Sequence, residues 1–172
     1  MTTTTTTTGT LEQFARECHD ILKKDPGPSG RQKICSILEK LLRDPKFVGA
    51  QITDSTPERK IVYEDKELGF CILAHQYKGA KDSPPHDHGP SWAIYGQARG
   101  ETDMTDYTLI SPASPEKPGR AKAVRTYKLT PGSVHLYNEG DLHSPSRKGP
   151  TGLIRLEGMN MDRIKRLRFE AV

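Results

Sequence analysis

Two histidines one residue apart, His86 and His88, lie in the stretch Pro84-Pro85-His86-Asp87-His88-Gly89-Pro90-Ser91-Trp92, and a third, His143, closes the segment Asn138-Glu139-Gly140-Asp141-Leu142-His143. On a β-strand, residues i and i+2 project from the same face, so His86 and His88 can present both imidazoles to one ion. A lone His-x-His is a weak signal. Its setting strengthens it, because the Pro-Pro before the pair and the Gly-Pro after it restrict the backbone to extended or turn conformations. Imidazole suits iron, zinc, copper and nickel, so the donor type alone leaves the ion open. Three histidines on one face of an octahedral ion leave up to three positions free, enough for a chelating substrate and dioxygen together, whereas a closed tetrahedral site is structural. Cys18, Cys35 and Cys71 form no paired-spacing motif that would support a structural zinc; each sits among apolar neighbours as a buried thiol, which points to a reducing, cytoplasmic setting.

The elements that must position these residues fall into two groups. Leu11, Phe14, Ala15, Cys18, Ile21 and Leu22 recur at helical spacing and predict an amphipathic helix over about residues 10–24, ended by Asp25-Pro26-Gly27-Pro28. Ile34, Ile37, Leu38, Leu41 and Leu42 predict a second over about 29–43, with Ser29 as N-cap and Asp44-Pro45 as the stop. From residue 59 onward the pattern changes to short runs separated by Gly, Pro, Asn and Asp: 61–63, 69–76, 91–98, 103–110, 123–129, 133–137 and 153–157. Such spacing predicts a mainly β fold, a small antiparallel barrel or sandwich carrying two N-terminal helices. Residues 111–119, with three prolines, read as a loop.

The chain has 172 residues and a net charge of +4, which fits one domain over residues 10–172, with a helical segment at 10–50. Residues 1–9, rich in threonine, read as a disordered tail rather than a secretory signal. No apolar run approaches the roughly 20 residues of a membrane span, so a soluble protein is expected. The basic stretch Arg163-Ile164-Lys165-Arg166-Leu167-Arg168 reads as a solvated face of a terminal helix or strand. No nucleic-acid module accompanies it, and no nucleic-acid or membrane partner is expected.

His86-x-His88, Gly100 twelve residues later, Pro131-Gly132 and the downstream His143 together resemble the two motifs of the cupin superfamily. More narrowly, Pro85-His86-Asp87-His88, the Gly100-Glu101-Thr102 segment and the Asn138 to His143 segment look like the thiol dioxygenases, the cysteine dioxygenase family of small cupins. The likeness covers about residues 55–157. It implies a cupin jelly roll with Fe(II) held by His86, His88 and His143. Many cupins add a glutamate ligand where this chain has Trp92 and Ala93, and its absence fits the three-histidine iron site. Animal members carry a cysteine near the position of Ala93 that cross-links to a tyrosine, so this chain lacks that thioether.

In the family a Ser-x-His-x-Tyr relay lies on a late strand; here Arg155 and Glu157 take the histidine and tyrosine places in Leu153-Ile154-Arg155-Leu156-Glu157. An arginine ahead of the barrel pairs with the substrate carboxylate, and Arg59 is the nearest match, with Lys60 as the alternative offset. An arginine fork grips a carboxylate through two hydrogen bonds. Arg155 is a second candidate anchor, and if buried it needs a partner, which Glu157 on the same face can supply. Trp92 is a candidate pocket wall, and a Tyr95 hydroxyl near the metal can orient bound oxygen. Tyr137 reads as core or pocket wall, His75 and His135 as supports for a ligand imidazole, and Asp87 as structural. The resemblance implies an oxidoreductase, as a monomer or homodimer, that converts a small carboxylate-bearing thiol to a sulfinate with dioxygen. A metal-dependent isomerase, lyase or hydrolase is the enzymatic alternative, and a small-molecule-binding cupin the non-enzymatic one.

Overall fold

The first layer is helical, and its ends are set by side-chain chemistry. The computed structural model describes residues 9–172, so the threonine-rich residues 1–8 lie outside what is described. α1 (Leu11–Lys24) opens with a reciprocal capping box: Gln13 N–H donates to Thr10 Oγ1 at 3.2 Å, and Thr10 N–H to Gln13 Oε1 at 3.1 Å. α2 (Pro28–Leu41) begins on a proline, whose missing N–H has no helical acceptor at that position anyway. A third helix, α3 (Pro45–Gln51), follows where only a stop was expected, capped by Asp44, which accepts from Lys46 N–H at 2.9 Å. Asp44-Pro45 ends one helix and starts the next.

Ten strands follow: β1 (Lys60–Glu64), β2 (Cys71–Tyr77), β3 (Lys81–Asp82), β4 (Ala93–Arg99), β5 (Thr102–Ser111), β6 (Gly119–Leu129), β7 (Val134–Tyr137), β8 (Leu142–Arg147), β9 (Thr151–Glu157) and β10 (Phe169–Ala171). They form two five-stranded sheets, β1-β2-β9-β4-β7 and β10-β6-β5-β8-β3, antiparallel throughout except for β10 beside β6. The inner strands interleave, β2-β9-β4-β7 facing β3-β8-β5-β6, as the chain crosses repeatedly between sheets. That is the double-sheet jelly roll, the architecture of the cupins. The expected mainly β fold is therefore observed, with three strands (β3, β8, β10) beyond those read from the sequence.

The helices cover the outer face of the first sheet. Phe14, Cys18, Ile34, Leu38 and Phe47 pack on Ile72, Ala74, Ile94, Ile154 and Leu156, all buried. Each fully buried large side chain of this kind stabilises by about 1.5–3 kcal/mol. Along β9, Ile154 and Leu156 face the helices while Leu153, Arg155 and Glu157 alternate toward the lumen. β4 divides likewise, with Ile94 and Ala98 under the helices and Ala93 and Tyr95 facing the lumen beside Met104, Leu129 and Tyr137. Gly100 turns β4 into β5 at φ +67°, and a Cβ there would strike the Pro150 carbonyl. No helix among the described residues is long and apolar enough to cross a membrane.

Candidate metal centre

His143 enters the lumen near the start of β8, just after the turn in which Asn138 N–H donates to Asp141 Oδ2 at 2.7 Å. His86 and His88 are not on a regular strand, contrary to expectation: they lie in the connection between β3 and β4. Pro84, Pro85 and Pro90 carry no N–H to extend a ladder. One bridge replaces it, with His86 N–H donating to His143 O and His143 N–H to His86 O, both at 2.9 Å. Two ligand-bearing segments are thus tied backbone to backbone.

The three rings converge. His86 Nδ1 lies 2.9 Å from Pro84 O and His143 Nδ1 2.9 Å from Asp141 O, so both carry their proton on Nδ1 and turn the Nε2 lone pair inward. His88 Nε2 is 3.3 Å from His143 Nε2, while His88 Nδ1 is buried without a partner. The three donor atoms fall within 4.8 Å of one another. Burial pushes His86 down to about 4, with Arg166 and Arg155 adding repulsion, and holds His88 and His143 far below the ordinary histidine range. Neutral imidazoles with converging lone pairs, short of protons to share, are what a divalent transition metal requires of its ligands. The donor set fits such an ion.

Tyr95 stands at the same point. Its Oη is 3.2 Å from Nε2 of both His88 and His143 and 3.5 Å from that of His86. Arg155, opposite Tyr95 in the β4–β9 ladder, places its guanidinium carbon 4.7 Å from the ring centroid and donates from Nη1 to Oη at 3.0 Å. Arg155 Nε donates to His75 Nε2 at 3.1 Å, and His75 Nδ1 donates to Glu58 O at 2.6 Å. His75 therefore holds an arginine rather than a ligand imidazole.

Arg59 forks onto Glu157, Nη1 to Oε1 and Nη2 to Oε2, each at 3.1 Å, and sends Nε to Asp162 Oδ1 at 3.0 Å. Arg155 comes only within 3.9 Å of the same carboxylate. Glu157 is thus the partner of Arg59 first. Arg59, the expected carboxylate anchor, has its fork occupied, while Arg155 keeps Nη2 without a hydrogen bond among the described residues. Lys60 is exposed.

Both arginines line a cavity of about 670 Å³ that also reaches His86, Tyr95, Tyr77 and Arg147. Nothing in the sequence singles out Arg147 as a site residue. The basic stretch expected as a solvated face runs irregularly over this cavity, with Arg166 and Arg168 in its lining. Trp92, expected at the substrate, instead packs in the helix-side core with Arg31 5.3 Å from its ring. It lies three positions before Tyr95, an odd offset, so the two project to opposite faces.

Behind His143, Tyr137 stacks at 4.0 Å between centroids and joins Tyr127, whose hydroxyl donates to Asp106 at 2.9 Å. His135 lies against both tyrosine rings, away from the ligand nitrogens. Asp87 accepts from Gly89 N–H at 3.0 Å, a local turn bond.

The class that emerges is a jelly-roll protein with a three-histidine centre suited to a metal. No protein-family model matches the sequence, and no curated protein matches it. Solved structures similar to the chain include a cupin superfamily protein from Desulfitobacterium hafniense, with 9% identity and a TM-score of 0.44 over 63% of this chain and 83% of that one. KdgF from Halomonas sp. shows 17% identity and a TM-score of 0.46 over 65% and 91%. A Bacillus halodurans protein shows 9% identity and a TM-score of 0.49 over 69% and 81%. Likeness at this level says nothing about activity.

Proposed function

We propose that this chain is an Fe(II)-dependent enzyme that oxidises a small carboxylate-bearing thiol to its sulfinate with dioxygen. The observation that supports it is the convergence of three neutral imidazoles, with no carboxylate among them, at the edge of a cavity walled by arginines. Held by His86, His88 and His143, the iron would supply the redox chemistry between thiolate sulfur and dioxygen. The change balances without a further reductant: one thiolate and one dioxygen give one sulfinate, both oxygen atoms joining sulfur.

The chain's own residues bind and orient. Arg155, through its uncommitted Nη2, receives the substrate carboxylate, while His75 and Tyr95 fix the plane of its guanidinium. Tyr95 Oη accepts from Arg155 and so keeps its own proton to donate toward the reacting group. The Arg59–Glu157 fork closes the wall beside them. Oxygen uptake by the iron-loaded protein against a thiol panel that includes mercaptopropionate and mercaptosuccinate tests this reading. One sulfinate per dioxygen is expected, and no thiol-dependent uptake overturns it.

The central Tyr95 hydroxyl also favours a second reading, a non-oxidative isomerase, lyase or hydrolase in which Tyr95 takes and returns a proton beside the metal. Anaerobic turnover would select it. Tight ligand binding without turnover in either atmosphere would leave a binding protein.

A further inference from the structure

Arg147 differs from every other cation of the cavity. It is 3% exposed, its side chain makes no hydrogen bond or ion pair to any described residue, and its Nε is buried without an acceptor. Its guanidinium carbon lies 4.4 Å from the Tyr77 ring centroid, which offsets part of its desolvation but offers no acceptor for its N–H groups. Arg155 is close enough to repel it. The nearby acids give no relief: Glu157 and Asp162 are both engaged by Arg59, and Glu170 is exposed at the rim and pairs with neither. A buried cation without a counter-charge is destabilising unless an anion arrives from outside.

We propose that Arg147 and Arg155 together bind a small organic acid carrying two negative charges, a dicarboxylate or a phosphomonoester, within the cavity that opens onto the histidine centre. The inference rests on reading that cavity as the substrate chamber and goes beyond it, because a monocarboxylate engaging Arg155 leaves Arg147 unpaired. The second charge is what Arg147 recognises. Its planar N–H edges suit carboxylate and phosphate oxygens alike.

Calorimetric titration of the iron(II)-loaded full chain under anaerobic conditions, with succinate, inorganic phosphate and acetate as probes, tests this, the metal-free protein serving as the control for direct metal ligation. At least one dianion should bind on the order of ten-fold or more tightly than acetate, and the two dianion arms decide between a dicarboxylate and a phosphorylated ligand. Arg147→Met should erase that preference, leave acetate binding unchanged and raise the unfolding midpoint of the ligand-free protein, since an unpaired buried charge is removed. Equal affinity for all three probes overturns the proposal. So does a variant that keeps the dianion preference, or one whose ligand-free midpoint falls, which would make Arg147 a structural prop on Tyr77. Dianion binding without thiol-dependent oxygen uptake would keep this inference and reject the thiol reading, and thiol oxidation without a dianion preference would do the reverse.

Discussion

Arg59 and Glu157 close a two-bond fork across 98 residues of chain, and the carboxylate inside it is fully buried. This pairing frees Arg155 from its strand neighbour and lets it reach Tyr95. Removing Arg59 leaves the buried carboxylate without a hydrogen-bonded partner, Arg155 standing 3.9 Å away and engaged by Tyr95 and His75. Arg59→Ala should therefore destabilise the fold by about 3 kcal/mol, and Arg59→Met combined with Glu157→Leu should recover most of that loss. Urea unfolding of the two variants checks both.

The ligand assignment predicts metal content directly. His86→Ala, His88→Ala and His143→Ala should each abolish stoichiometric iron, read by elemental analysis of protein loaded under anaerobic conditions. Full occupancy in all three would remove the basis for a metal centre.

Tyr95 and His75 should separate in their kinetics. Tyr95→Phe keeps the ring over which Arg155 sits and loses only the hydroxyl, so kcat should fall by about 100-fold with iron content unchanged. His75→Leu removes the acceptor that holds Arg155 Nε, so KM should rise by about ten-fold while kcat changes less. Steady-state kinetics with the best thiol of the panel distinguish the two.

Asp65 supplies a pH dependence far from the metal. Burial would raise its pKa, but bonds from Leu68 N–H at 2.7 Å, His19 and Tyr63 at 2.9 Å, and Glu67 N–H at 3.1 Å outweigh burial and hold it below the ordinary carboxylate range. A depressed folded-state pKa stabilises above the unfolded value of about 3.9 and loses that contribution as pH falls through the folded value. The stability gap between the wild type and Asp65→Asn should be full above the unfolded value of about 3.9 and shrink as pH falls from there through the folded value. Urea midpoints measured across this range give the answer.

The histidines and most strands are legible because their signals are local. His86-x-His88 and His143 stand out by residue type, and β2, β4, β5 and β9 by apolar runs between turn residues. Of β8 only the start is legible, where His143 follows the Asn-Glu-Gly-Asp turn, since Pro145 within Leu142–Arg147 argues against a longer strand. It is tolerated because Pro145 still offers its carbonyl, which accepts from Ser83 N–H at 3.1 Å. Arg147 was lost with that strand. The Arg59–Glu157 fork was missed for a different reason: Glu157 has Arg155 two residues away in sequence, and only the folded sheet shows that a distant arginine fits it better. Trp92 stands one residue before β4, and strand parity puts it on the opposite face from Tyr95, away from the site that its proximity in sequence suggests.

The alternation along β4 and β9 gives neighbouring residues separate duties. Ile154 and Leu156 anchor the sheet to the helices, while Arg155 lines the chamber and Glu157 braces the Arg59 that walls it. Such a strand can change its chemistry one residue at a time while its foundation stays in place, so divergence among proteins built this way should concentrate at every second position.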